Sequence, residues 1–404
     1  MSKAQRSHVA DLRGASRLAI DATAGLAGLV EAIHANVART PTKLGGPIVG
    51  GAVNGITGLV YNSVRGVTRA VGGGLDLALR AVPSALGEME SMPARERLVA
   101  VVNGVLGDYL VATDNPLAIT MRMRRDGKPL ALSREALTSV IPSTSTKLLV
   151  LVHGLCMNDL QWTRDGHNHG VALAKDLGYT SVYLHYNTGL HISTNGRAFA
   201  EALEALVAAW PVPLEELAIV AHSMGGLVTR SALDMATGAG QAWPQLLRKL
   251  VFLGTPHHGA PLERGGHWIH TVLGKTPYIA PLERLGRIRS AGITDLRHGS
   301  VHDEDWQGRD RFAHGNDPRR PLPLPRDVRC YAIAGTIGSA ETQLREQLLG
   351  DGLVPVPSAL GQHRDARFTL AFPKSHQWIA ADTSHFDLLG RAAVYRRIRK
   401  WLAA

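Results

Sequence analysis

Apolar residues along this chain fall into two rhythms. Short unbroken runs occur at Lys147–Val152 (KLLVLV), Ser181–Tyr186 (SVYLHY), Leu217–Ala221 (LAIVA), Lys249–Gly254 (KLVFLG), Val328–Ala334 and Trp378–Ala381. Runs of this length, rich in branched residues and bounded by polar ones, predict strands buried on both faces. Between them the apolar positions recur every three or four residues. Ile192–Trp210 places Phe199, Leu203, Leu206 and Val207 on one face, with Ser193 and Asn195 as candidate caps. LVTRSALDMA after Gly226 and the stretch from Asp387 to Trp401 have the same helical spacing. Strands alternating with helices predict an α/β chain built on a mostly parallel sheet covered on both sides. Upstream, Ala118–Arg124, the pair Asp126-Gly127 and Pro129–Leu132 predict an antiparallel hairpin, and Ser139–Thr146 a Ser/Thr/Pro linker.

Two regions break the alternation. Residues 1–92 carry only the helical rhythm: Leu12, Ala15, Leu18, Ala19, Ala22, Leu26 and Leu29 predict one amphipathic helix. Ile48–Leu79 predicts a second, striped by Gly51, Gly55, Gly58, Asn62 and Gly66. Arg65, Arg69 and Asp76 oppose a bilayer-spanning reading, and Asp11, Arg13, Arg17 and Asp21 interrupt any signal-peptide core. Three readings of 1–92 stay open: a helical hairpin packed on the main domain or on a second subunit, an appendage that settles on lipid or a hydrophobic granule, or a loosely ordered tail. The second region, about 260–326, runs from Trp268-Ile269 and Tyr278-Ile279 through a charged stretch to PLPLP. An irregular insertion of this length predicts a cap over a site. The domain expectation is thus a helical extension, 1–92, and a main domain, 93–404.

Composition narrows the classes. With 404 residues, 45% hydrophobic and 19% charged, the chain can bury a sizeable core. A formal net charge of +10 suits anionic partners. No interleaved basic and aromatic platform accompanies it, which argues against nucleic acid. Cys156 and Cys330, the two cysteines, lie in or beside apolar runs and read as buried free thiols. The expected location is cytoplasmic, with attachment to a membrane or granule left open.

The chemistry concentrates at Leu217–Val228. The strand LAIVA stops at His222-Ser223-Met224, with Ala221 before the serine and Gly225 and Gly226 after it, and a helix follows. A serine presented on a strained strand-to-helix turn needs small neighbours in those places. Ala221 replaces the first glycine of G-x-S-x-G, the smallest possible departure. This motif resembles that of the α/β-hydrolase fold, and within it bacterial lipases and esterases, including those similar to GPI inositol-deacylases.

The resemblance implies further parts. His153-Gly154-Leu155, at the end of the strand 147–152, resembles the family's oxyanion loop; the amides of Leu155 and Met224 would then hold the oxyanion, with His153 shaping the loop. Gly350-Asp351-Gly352-Leu353-Val354-Pro355 resembles the loop of the acidic triad member. His385, between the final strand and helix, completes the order Ser, Asp, His; His376 and the more distant His363 are the competing histidines. The expected triad is therefore Ser223, Asp351 and His385, with His153, Gly154, His222, Gly225 and Gly226 in support. Thr255-Pro256-His257-His258-Gly259 also resembles lipase-like hydrolases, and no ligand spacing around its two histidines suggests a metal. The resemblance implies a serine carboxylic-ester hydrolase acting through an acyl-enzyme on an ester or lipid substrate, without cofactor. A thioesterase, acyltransferase or polyester depolymerase would use the same residues. A non-catalytic scaffold is the alternative of another class.

Overall fold

The structure is a computed structural model, and it describes Gly14 and residues 93–260, 290–308, 319–337 and 350–404. The two helices expected in 1–92 lie outside the described residues, as do 261–289 and 309–318 of the insertion. The chain divides into two compact units, Met1–Met92 with Leu110–Ala118, and Pro93–Tyr109 with Ile119–Ala404. Within the first, Asn115 Nδ2 donates to the Gly14 carbonyl at 3.1 Å. No described helix is long and apolar enough to cross a membrane.

In chain order the described elements begin with α1 (Pro93–Ala112), β1 (Arg122–Arg125), β2 (Lys128–Pro129), α2 (Arg134–Val140) and β3 (Lys147–Val152). The small strands β4 (Thr163–Arg164) and β5 (His167–Asn168) follow, then α3 (His169–Leu177), β6 (Thr180–His185), α4 (Ile192–Ala208), β7 (Glu216–His222) and α5 (Met224–Gly238). The remainder are α6 (Trp243–Leu246), β8 (Leu247–Leu253), α7 (Ala291–His298), β9 (Arg329–Gly335), α8 (Val356–Ala359), β10 (Gln377–Ala380) and α9 (Ala392–Ala403).

Eight strands form one sheet in the order β10-β9-β8-β7-β3-β6-β1-β2. Neighbours from β10 to β6 run parallel, while β1 is antiparallel to both β6 and β2. It is a mixed central sheet flanked by helices, consistent with an α/β-hydrolase-like fold. The two faces can be read from β3: Leu148, Val150 and Val152 join the core cluster that holds Phe199, Leu203 and Leu227 of α4 and α5. Leu149 and Leu151 point the other way, into the cluster of Leu173, Val394, Ile398 and Trp401 from α3 and α9. Alternate residues of a strand face opposite sides, so an unbroken apolar run is what a doubly covered strand requires.

Three expectations need adjusting. The hairpin forms at its Asp-Gly turn, where Asp126 and Gly127 both have positive φ (49° and 71°), but β1 and β2 are shorter than expected. Proline at 129 has no N–H to continue the ladder, and one further bond, Leu130 N to Met123 O at 2.8 Å, ends the pairing. The expected linker at 139–146 begins inside α2, a helix the apolar pattern did not suggest; Ser133 caps it by accepting from Ala136 N at 3.3 Å. Helix α4 starts where expected, yet neither Ser193 nor Asn195 caps it. The amide of Ile192 donates instead to Asp295 Oδ2 at 2.8 Å.

Candidate active site

The chain passes from β3 to β6 on one side, then crosses to β7 on the other, so the connection reverses direction between β3 and β7. In open α/β sheets such a reversal leaves a crevice at the carboxyl ends of the strands. The loop after β3 brings Gly154 and Leu155 to that edge, and the turn after β7 brings Ser223. Both, with His222 and His385, line one cleft whose other walls include Met157, Leu296, Leu353, Val354 and Phe386.

Ser223 sits between β7 and α5 at φ 55°, ψ −126°, a conformation L-residues rarely adopt. It is pinned there: its amide donates to Leu253 O at 2.8 Å and its carbonyl accepts from Gly226 N at 3.0 Å. The glycines after it have a steric cause. A Cβ on Gly225 would lie 2.6 Å from the carbonyl oxygens of Val152 and His153, and one on Gly226 would lie 2.1 Å from Thr255 Oγ1. These are the points where α5 runs hard against the ends of β3 and β8. Gly154 is equally confined, since its Cβ would approach Ser223 Cβ to 2.9 Å.

Asp351 and His385, both nearly fully buried, meet directly, with His385 Nδ1 2.7 Å from Asp351 Oδ2. The other carboxylate oxygen accepts from the amides of Leu353 (3.0 Å) and Val354 (2.9 Å). A second link joins the main chains, His385 N to Asp351 O at 3.0 Å. Asp351 is thereby fixed, and a carboxylate so placed holds the proton on Nδ1 of His385 and leaves Nε2 as the basic nitrogen. The third contact is open: among the described residues no hydrogen bond joins the Ser223 hydroxyl to His385.

The supporting residues divide by role. Burial pushes His153 down to about 3, so it is a neutral ring; it stacks on Tyr186 at 4.4 Å, and the Tyr186 hydroxyl donates to the His153 carbonyl. It shapes the loop. Leu155 and Met224 are nearly fully buried, and among the described residues neither amide has a hydrogen-bond acceptor in the protein. His376 lies at the start of β10, the end of the sheet away from the cleft, where Nδ1 contacts Cys330 O at 3.0 Å. His363 packs against His258 at 4.8 Å between ring centroids, and His257 is buried against Phe252 and Phe372. No cluster of metal-ligating side chains occurs among the described residues. Cys156 and Cys330 are both free and buried.

Two contributors escaped the sequence reading. Gly254, at φ 57°, ends β8 directly beneath the Asp-His pair; its Cβ would lie 2.9 Å from Asp351 Oδ2 and 3.1 Å from His385 Cε1. Asp295 is the other. From the insertion it accepts from Ile192 N and contacts His191 Nδ1 at 3.0 Å. With Ser290 Oγ donating to Gly104 O and Ser231 Oγ to Val301 O, it bolts the described part of the insertion to α1, α4 and α5. Leu296 of α7 then stands as a fixed wall of the cleft.

Residues 125–287 match a family model described as a domain of unknown function (DUF7379). No curated protein matches the chain. Among solved structures, a Bacillus licheniformis lipase, BlEst2, is 18% identical at a TM-score of 0.40, the alignment covering 63% of this chain and 91% of that one. RedJ, a thioesterase of the prodiginine pathway in Streptomyces coelicolor, is 16% identical at a TM-score of 0.33, covering 69% and 96%. The Legionella pneumophila phospholipase PlaB is 18% identical at a TM-score of 0.32, covering 53% and 45%.

Proposed function

We propose that this chain is a serine hydrolase of carboxylic esters, with Ser223 as nucleophile, His385 as general base and Asp351 as the group that orients it. The observation that carries the reading is the buried 2.7 Å contact between His385 and Asp351, on a cleft that Ser223 shares. Ser223 Oγ attacks the ester carbonyl and His385 Nε2 takes its proton; Asp351 stabilises the imidazolium that results. The carbonyl oxygen, now negative, is held by the amides of Leu155 and Met224. Met224 suits this because it opens α5, where the first amides have no partner within the helix. His385 then protonates the leaving alcohol, and water releases the acyl group by the reverse path. Catalytic hydrogen bonds commonly tighten only around substrate, and the proposal expects the Ser223–His385 contact to close in that way.

Apolar side chains dominate the cleft wall, which suits an apolar acyl group. The test is hydrolysis of p-nitrophenyl butyrate by the full chain and by Ser223→Ala, with a butyryl thioester in parallel. Turnover and fluorophosphonate labelling are expected to vanish in the variant while its circular dichroism is unchanged. Undiminished turnover would remove Ser223 from the reaction. Faster cleavage of the thioester would move the assignment to a thioesterase on the same residues.

A further inference from the structure

We propose that His222 is a positioning residue, which aims His385 by a hydrogen bond to its main-chain carbonyl. The proposal rests on the reading of His385 as the base. His222 Nε2 lies 3.0 Å from the His385 carbonyl oxygen. A carbonyl can only accept, so Nε2 bears the proton and Nδ1 is bare. Nδ1 is buried and has no hydrogen-bond partner among the described residues; it faces Gly154, where an added Cβ would come within 3.1 Å of it.

An apolar ring would fill this space without burying an unpaired nitrogen, so the packing alone gives no reason for a histidine. The donated bond gives one. The His385 N–H is held by the Asp351 carbonyl, 3.0 Å away, and its ring by the Asp351 carboxylate. Among the described residues only the His222 contact restrains the His385 carbonyl, and a turn of the peptide that carries it swings Nε2 away from the serine. His222 is also the residue before Ser223, so one bond ties the turn that carries the nucleophile to the loop that carries the base.

The two rings lie 4.6 Å apart, inclined by 48°. Burial, and then the neighbouring His385, holds His222 far below the ordinary imidazole range. It therefore stays neutral beside a ring that must become cationic during turnover. A charged group in its place would oppose that step.

The test compares the full-length wild type with His222→Phe, His222→Asn and His222→Gln. Phe fills the space without a donor, Asn is too short to reach the carbonyl, and the Gln amide places a donor near the position of Nε2. Two readouts are taken: p-nitrophenyl butyrate kinetics, and the downfield proton resonance of the His385–Asp351 hydrogen bond. Phe and Asn are expected to lower kcat by about tenfold or more, as for an Ångström-scale misplacement, with KM within about twofold. They should also broaden or erase the downfield resonance, and Gln should restore both. Should Phe not fold, the contrast between Asn and Gln decides. Wild-type kcat and resonance in Phe and Asn, or a Gln variant as impaired as Asn, would overturn the proposal. A wild type that cleaves no ester, with the resonance still lost in Asn and kept in Gln, would sink the ester-hydrolase reading and leave the positioning role standing.

Discussion

Asp351 divides its two oxygens between different duties: one meets His385, the other is held by two amides of its own loop. Replacing it by Asn keeps the shape but turns a donor or a neutral oxygen toward Nδ1, so the imidazole loses both its useful tautomer and the charge that stabilises its cation. We expect Asp351→Asn to lower kcat by a factor on the order of 10⁴ with little change in Tm, measured by ester turnover and a thermal melt. Gly226 tests the packing of the same turn. Gly226→Ala drives a methyl into Thr255, and overpacking of this kind costs about 1–3 kcal/mol; urea titration would read it. The two glycines after Ser223 were legible because they stand beside it in one short motif, although what confines them is Val152, His153 and Thr255, far along the chain. Gly254 was not, because what confines it comes from Asp351, His385 and Leu388, all distant along the chain.

Among the elements, the strands were the easiest to read. A strand buried on both faces is apolar at nearly every position, and β3, β7 and β8 announce themselves that way; β3 has the expected ends, and those of β7 and β8 differ by a residue or two. Helix starts were harder. The cap of α4 depends on a carboxylate from α7, a contact that only folding creates. Asp295→Ala would leave the buried Ile192 amide unpaired and His191 without its partner, and we expect a loss of about 1–3 kcal/mol. Hydrogen exchange at the first turn of α4 should rise in that variant, while exchange in β3 should not. An unchanged first turn would mean that Asp295 is not its cap.

Acid should weaken the whole molecule in a defined window. Burial holds His153 at about 3 and His169 at about 4, and pushes His222 and His257 well below their ordinary value of 6.5. Unfolding exposes these rings, and below 6.5 the unfolded chain takes up protons that the folded chain refuses. Their contribution is therefore complete above about pH 6.5 and is lost as pH falls through their folded values, each group adding a slope of up to about 1.4 kcal/mol per pH unit. Denaturation midpoints measured from pH 7 to 4 should fall across this range, and a flat profile would contradict neutral burial of these histidines. The sequence alone determined the alternation of strand and helix and the two-faced sheet, because hydrophobic period is written in neighbouring positions. Tertiary structure alone decided what confines Gly254, which carboxylate caps α4 and where the cleft opens. Those outcomes depend on distances between residues far apart in the chain, set by the order in which the strands are laid side by side.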